Sequence, residues 1–319
     1  MDRATATVAP EPAPERALAP AARERRLALA AALVTVVLWA SAFVGIRAAG
    51  RTLSAGPLSL LRLIVGSLAL GTLVLARRSA MPARRDLGGV ILCGLLWFGA
   101  YNVLLNQAEH LVDAGTAAML VNIGPVLIAL LGGLLLGEGF PRRLLAGCAI
   151  AFTGTVVIGL ATSTRGLQAG FGAVLCLAAA AAYAGGVTAE KPVLARTSAL
   201  TVTWLACTIG AIACLPFLPQ LVHEAGRAGA GTIAWAVYLG VFPTAVGFSF
   251  WAYALARTSA GRLGATTYLV PPMAIALGWL LLGDVPPWLA LAGGVLCLAG
   301  VAVTRGARLP RRLRALRDG

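Results

Sequence analysis

Apolar blocks of about twenty residues follow one another along almost the whole chain, and this narrows its possible folds more than any other feature. At about 1.5 Å of rise per residue, such a block matches the ~30 Å hydrocarbon thickness of a bilayer. Ten can be marked, at 27–47, 57–76, 87–107, 114–136, 144–162, 170–190, 199–219, 232–255, 262–282 and 287–304. The longest connections, "ARRSAMPARRD" (76–86) and "QLVHEAGRAGAG" (220–231), have loop composition. Of 319 residues, 59% are hydrophobic and only 12% charged, too little charge to cover a soluble domain of this size. The sequence predicts an all-α integral membrane protein with ten transmembrane helices.

The basic residues set an orientation. With the N-terminus inside, 21 of the 26 fall in inner segments, including Arg77, Arg78, Arg84, Arg85, Arg142, Arg143, Lys191, Arg196, Arg257 and Arg262. Arg47, Arg51, Arg165 and Arg227 fall outside, and Arg62 lies within a span. That bias over alternating short loops follows the positive-inside rule and predicts a multi-pass plasma-membrane protein with both termini cytoplasmic. Residues 1–26 have no apolar core and are expected to be a disordered cytoplasmic tail rather than a signal peptide. Residues 305–319 are expected to form a basic cytoplasmic tail.

The chain also repeats itself. An offset of 146 carries Gly94 to Gly240, Ala114-Gly115 to Ala260-Gly261, Pro125 to Pro271 and Gly132 to Gly278. It carries "LLLGE" (134–138) to "LLLGD" (280–284), Gly147 to Gly293 and Gly154 to Gly300. Earlier spans pair at an offset of 144, Trp39 with Tyr183 and Arg47 with Lys191. Each copy, 27–162 and 170–304, then holds five spans. Five is odd, so the second copy enters the membrane from the opposite side. The expectation is two inverted five-helix repeats, whose symmetry supplies alternating access.

The residues that repeat also resemble a family. "LWASAFVGIR" (38–47), "AGTAAMLVNIGPVLIALLGGLLLGE" (114–138), "GCAIAFTGTVVI" (147–158), "AGRLGATTYLVPPMAIALGWLLLGD" (260–284) and "GGVLCLAGVAV" (293–303), in that order and duplication, resemble the EamA-type domain of the drug/metabolite transporter superfamily. The resemblance covers about residues 30–304 and implies export of small metabolites, amino acids or drugs.

Candidate substrate contacts follow from polar or kinking residues within spans. Pro125 and Pro271 remove a backbone donor and free carbonyls near mid-membrane. Asn122 and Tyr268 lie three residues earlier, on the same helix face. Asn102 is an amide deep in span 3, where hydrocarbon exposure is costly. Trp39 and Tyr183 lie deeper than an interfacial aromatic belt. Gate or coupling candidates are Arg47 and Lys191, Glu138 and Asp284, and Arg62, whose plainer roles are snorkelling outward or pairing with Glu109 or Asp113.

Other functions are disfavoured. The six cysteines lie inside apolar blocks without CxxC spacing, His110 and His223 lack metal-ligand spacing, and no glycine run is followed by GK[ST]. No cofactor, metal or nucleic-acid partner is expected; the partners are a small-molecule substrate, the lipid bilayer and, for a coupled mode, a proton or other ion. No carboxylate is placed at mid-membrane, which favours neutral, zwitterionic or aromatic metabolites over proton-coupled multidrug efflux, the alternative. A membrane-embedded enzyme would need clustered carboxylates or a Ser/His/Lys constellation, and none is visible. A non-transporting scaffold leaves the proline-broken polar pairs without a purpose.

Overall fold

The computed structural model describes residues 15–111, 120–162, 170–282 and 287–305, and all the regular structure among them is helical. In order these are α1 (Glu15–Ala49), α2 (Ala55–Ala76), α3 (Leu87–Cys93), α4 (Tyr101–Leu111), α5 (Gly124–Leu135), α6 (Arg142–Thr162) and α7 (Gly170–Val193). There follow α8 (Ala199–Ala213), α9 (Leu218–Ala225), α10 (Ala230–Leu239), α11 (Phe248–Arg257), α12 (Ala260–Thr266), α13 (Val270–Leu282) and α14 (Trp288–Arg305). Five runs are long and apolar enough to cross a membrane, Arg23–Ala49, Ala55–Ala76, Arg84–Leu111, Phe171–Val193 and Ala230–Arg257. The pair Ala199–Ala213 and Leu215–Ala225, bent by 50°, makes a sixth.

Several boundaries differ from the sequence reading. Helix α1 already begins at Glu15, inside the segment expected to be a tail. Residues 220–225, expected to be loop, belong to α9. There Pro216 and Pro219 occupy first-turn positions that proline tolerates, and Glu224 accepts hydrogen bonds from Ser54 N (2.8 Å) and Ser54 Oγ (2.7 Å). The tails before residue 15 and beyond residue 305, and the expected repeat positions Ala114, Gly115 and Asp284, lie outside the described residues.

The prolines break their spans rather than bend them. Ahead of Pro125 the helix is interrupted by a turn at 122–123, and ahead of Pro271 by a 3-10 segment, Thr267–Leu269. A proline ring clashes with the carbonyl four residues back, here that of Val121 or Thr267. The two breaks therefore fall at positions 146 apart.

The offset also matches local winding and packing. Two π-helical stretches, Gly94–Ala100 and Gly240–Gly247, begin 146 residues apart. Gly94 lies against Ala206 O and Ile209, while Gly240 lies against Arg62 O and Val65, the corresponding pair at an offset of 144. Helices α6 and α14 cross where a Cβ on Gly154 would come within 2.6 Å of Gly293 O and one on Gly293 within 2.7 Å of Gly154 O. Such small-residue contacts bring backbones together where lipid offers no hydrophobic driving force.

Candidate functional site

The two π-helical stretches lead into the walls of a cavity: Trp97 of the first and Phe248, directly after the second, both line it. A π turn widens the helix and leaves carbonyls poorly paired, a feature common at functional sites. Both stretches recover partners from side chains: Asn102 Nδ2 donates to Phe98 O (2.8 Å) and Trp97 O (3.3 Å), and Thr244 Oγ1 donates to Leu239 O (2.8 Å). Asn102 is thereby held with only its carbonyl end uncommitted among described partners. Asn106, one turn on, instead donates to Ser59 Oγ of α2 (2.9 Å).

Around these stretches the aromatic rings converge. Trp39 of α1 stacks on Trp251 with centroids 5.0 Å apart and meets Trp97 edge-on at 5.9 Å. Trp97 reaches Phe248 at 4.8 Å and Tyr183 at 5.2 Å. The Trp39 indole N–H donates to Pro243 O (3.2 Å), which fixes the ring's orientation.

Trp39, Trp97, Tyr183 and Phe248 border a cavity of about 90 Å³. Of the expected substrate contacts, Trp39, Asn102, Asn122, Pro125 and Tyr183 line it, as does Arg62. Tyr268 and Pro271 do not. Tyr268 is fully buried against Ala129, Leu144, Cys148 and Ala151, and its neighbours Thr267 and Val270 reach the cavity in its place. The 3-10 winding at 267–269 changes which residue of the second break faces inward. Trp97 and Tyr101 are not marked as contacts by the sequence, whereas the aromatic run "GFSFWAY" (247–253), which contains Phe248, offers a stacking wall, and Phe248 lies 146 residues after Asn102.

Cavity-lining positions on α1 run from Trp39 to Ile46, about 10 Å along the axis toward Arg47. Arg47 itself is exposed in the last turn of α1. At the opposite end, Arg25 of α1 comes into electrostatic range of Arg262, and charged groups meet helix ends. Lys191 Nζ donates to Leu255 O and Thr258 O, at the C-terminal end of α11. The Glu138 carboxylate accepts from Ala260 N (2.7 Å) and Gly261 N (3.2 Å), at the start of α12. Each charge complements the helix end it touches, carboxylate at the N-terminus and ammonium at the C-terminus. Gly137 and Gly139 hold positive φ of 67° and 70°, so the chain can turn sharply on both sides of Glu138.

Buried carboxylates are present nearby as well. Glu190 is 2% exposed with Oε2 unpartnered, and Glu109 has an unpartnered buried Oε1. Neither lines the cavity. Among the described residues no cluster of His, Cys, Asp or Glu suited to a metal ion occurs.

The EamA-like transporter family model matches residues 26–160 and 170–306, two successive copies. A protein of Streptantibioticus cattleyicolor named "Probable terminal-alkyne amino-acid exporter" is 42% identical over 291 residues, covering 91% of this chain and 97% of that one. A "Probable amino-acid metabolite efflux pump" of Escherichia coli is 27% identical over 283 residues, covering 85% and 92%. A solved crystal structure superposes with a TM-score of 0.73 at 22% identity, covering 90% of this chain and 98% of that one, a likeness of fold.

Proposed function

The chain belongs to the EamA-like transporter family, and on that premise we propose that it exports small amino acids and related neutral or zwitterionic metabolites by alternating access. The observation that carries this reading is an aromatic-walled cavity extending toward Arg47; in this reading Glu138 and Lys191, bonded to the helix ends they touch, shut the opposite end. Names of relatives that refer to amino-acid export support the cargo class. As a member of this family with several apolar helices long enough to span, the chain is a multi-pass membrane protein.

The finer architecture is part of the proposal. Ten spans form two five-helix repeats inverted across the membrane, with both termini cytoplasmic. Reciprocal contacts such as Gly154–Gly293 and Gly147–Gly300, which exchange under the 146 offset, support a two-fold relation between the halves. In that orientation the cavity faces outward. The mirror state closes Arg47 on the carbonyls at the end of α4, while Glu138 and Lys191 let go. At about 90 Å³ the cavity is below the ~300–1,000 Å³ of typical ligand sites, so cargo entry widens it.

The alternative, proton-coupled efflux of cationic drugs, needs a carboxylate facing the cargo; among the described residues the cavity lining holds Arg62 and no carboxylate. The test is counterflow of radiolabelled L-phenylalanine and L-propargylglycine by purified protein in sealed vesicles, with and without a pH gradient. Trp39→Ala removes the ring that joins three others, and is expected to lower counterflow by about 10-fold or more, since an aromatic contact and its buried area together exceed ~1.4 kcal/mol. Absence of counterflow of every amino acid by wild-type protein would overturn the reading.

A further inference from the structure

Arg62 is only 5% exposed, sits in the membrane-spanning helix α2 and lines the cavity. A guanidinium offers five N–H donors in a planar fork. Here Nε and Nη2 both donate to the Thr244 hydroxyl oxygen, at 3.2 and 3.0 Å, and that hydroxyl in turn donates a hydrogen bond to Leu239 O. This arrangement uses one edge of the guanidinium and fixes its plane. No carboxylate lies within ion-pair distance of it among the described residues. Glu109, the acidic side chain in electrostatic range of Arg62, does not reach it and keeps an unpartnered oxygen. A buried cation with no counterion among the described residues is costly to hold in place. The remaining donors of Arg62 have the cavity beside them.

We propose that Arg62, oriented by Thr244, is the anchor for the carboxylate of the cargo, and that the site selects small molecules carrying a carboxylate next to an ammonium. This rests on the export reading and names the part of the cargo that the site recognises. Arginine forks match carboxylates bidentately. The other half of an amino acid finds complementary surroundings in the same cavity. The faces of Trp39, Trp97 and Tyr183 attract an ammonium through their π systems, and the Asn102 carbonyl oxygen is an acceptor held in place by its own amide's bonds. An apolar side chain of the cargo would lie along Phe43, Phe248 and Val270.

The experiment compares inhibition of L-phenylalanine counterflow by unlabelled L-phenylalanine and by L-phenylalaninamide, which keeps the ammonium and ring but loses the anionic carboxylate. Wild-type protein is expected to favour the acid by about 10- to 100-fold, the range for a hydrogen bond to a charged group. Arg62→Gln is expected to erase that preference, and Arg62→Lys, a cation without the fork, to leave part of it. Glu109→Gln is expected to keep it; its loss there, as in Arg62→Gln, would mean that Arg62 acts through Glu109 and would overturn the proposal. Equal inhibition by acid and amide in the wild type overturns it without recourse to any variant, so a misfolded Arg62→Gln does not shelter it. Wild-type protein that moves phenylalanine but shows no acid preference leaves the export reading standing and removes the anchor. Protein that moves no amino acid removes both.

Discussion

Glu138→Gln is expected to loosen the Lys191 end of the molecule about 10-fold. The carboxylate takes two backbone N–H groups, Ala260 at 2.7 Å and Gly261 at 3.2 Å, with both oxygens engaged. The amide of glutamine retains one acceptor and loses the charge that the helix N-terminus favours. Charged caps of this kind contribute about 1–2 kcal/mol, and that contribution exists only while this end is closed. Its loss shifts the closed-to-open ratio by about a factor of ten. Ala260 is fully buried, so the readout is thiol labelling at Ala260→Cys, slow with Glu138 present and about 10-fold faster with glutamine. The six native cysteines are all buried, which keeps the background low. Unchanged labelling would mean that Glu138 does not hold this end shut.

Gly154→Val is expected to be among the most destabilising single substitutions in the chain. A Cβ at Gly154 would meet Gly293 O at 2.6 Å, Cys297 N at 2.7 Å and Cys297 Sγ at 2.9 Å. The first two are backbone atoms of a facing helix and cannot rotate away, so α6 and α14 must move apart along their whole crossing. Overpacking of this kind costs about 1–3 kcal/mol where side chains can adjust, and more here, where backbone is in the way. Thermal unfolding in detergent, followed by loss of the monodisperse species, measures it. Gly88→Ala is the matched control: nothing lies within 4 Å of its added Cβ. Exchange of glycine for alanine within a helix there is expected to stabilise by about 0.5–1 kcal/mol. Equal behaviour of the two variants would show that the α6–α14 crossing is not a tight constraint.

Much of the fold was legible because membrane constraints are written plainly in composition. Block length marks helices, and the repeated Pro125 and Pro271, Gly147 and Gly293, Gly154 and Gly300 fix which parts correspond. Five of the seven expected cargo contacts converge on one cavity because polar or bulky aromatic groups deep in a span must face protein. Less was legible where winding decides direction. No residue type demands the π turns at Gly94–Ala100 and Gly240–Gly247, yet they turn Trp97 and Phe248 toward Trp39. Tyr268 was placed by helical spacing from Pro271, and the intervening 3-10 turn gives its place to Thr267 and Val270. Glu138 was recognisable as a helix terminator, but its partners are amides 122 and 123 residues away, which local pattern does not reveal. For Arg62, snorkelling was a natural expectation for a long cation near a helix end; burial against Thr244 replaces it.

The central claim is that the two ends open in turn around one cavity, and crosslinking across the Glu138 end tests it most directly. Glu138→Cys and Ala260→Cys, joined by a short bifunctional thiol reagent in protein reconstituted in vesicles, would hold that end permanently in the closed state described here. The account predicts that amino-acid counterflow is abolished on crosslinking and returns when the bridge is cleaved by a reductant. Counterflow that continues at the uncrosslinked rate of the same double variant would contradict it.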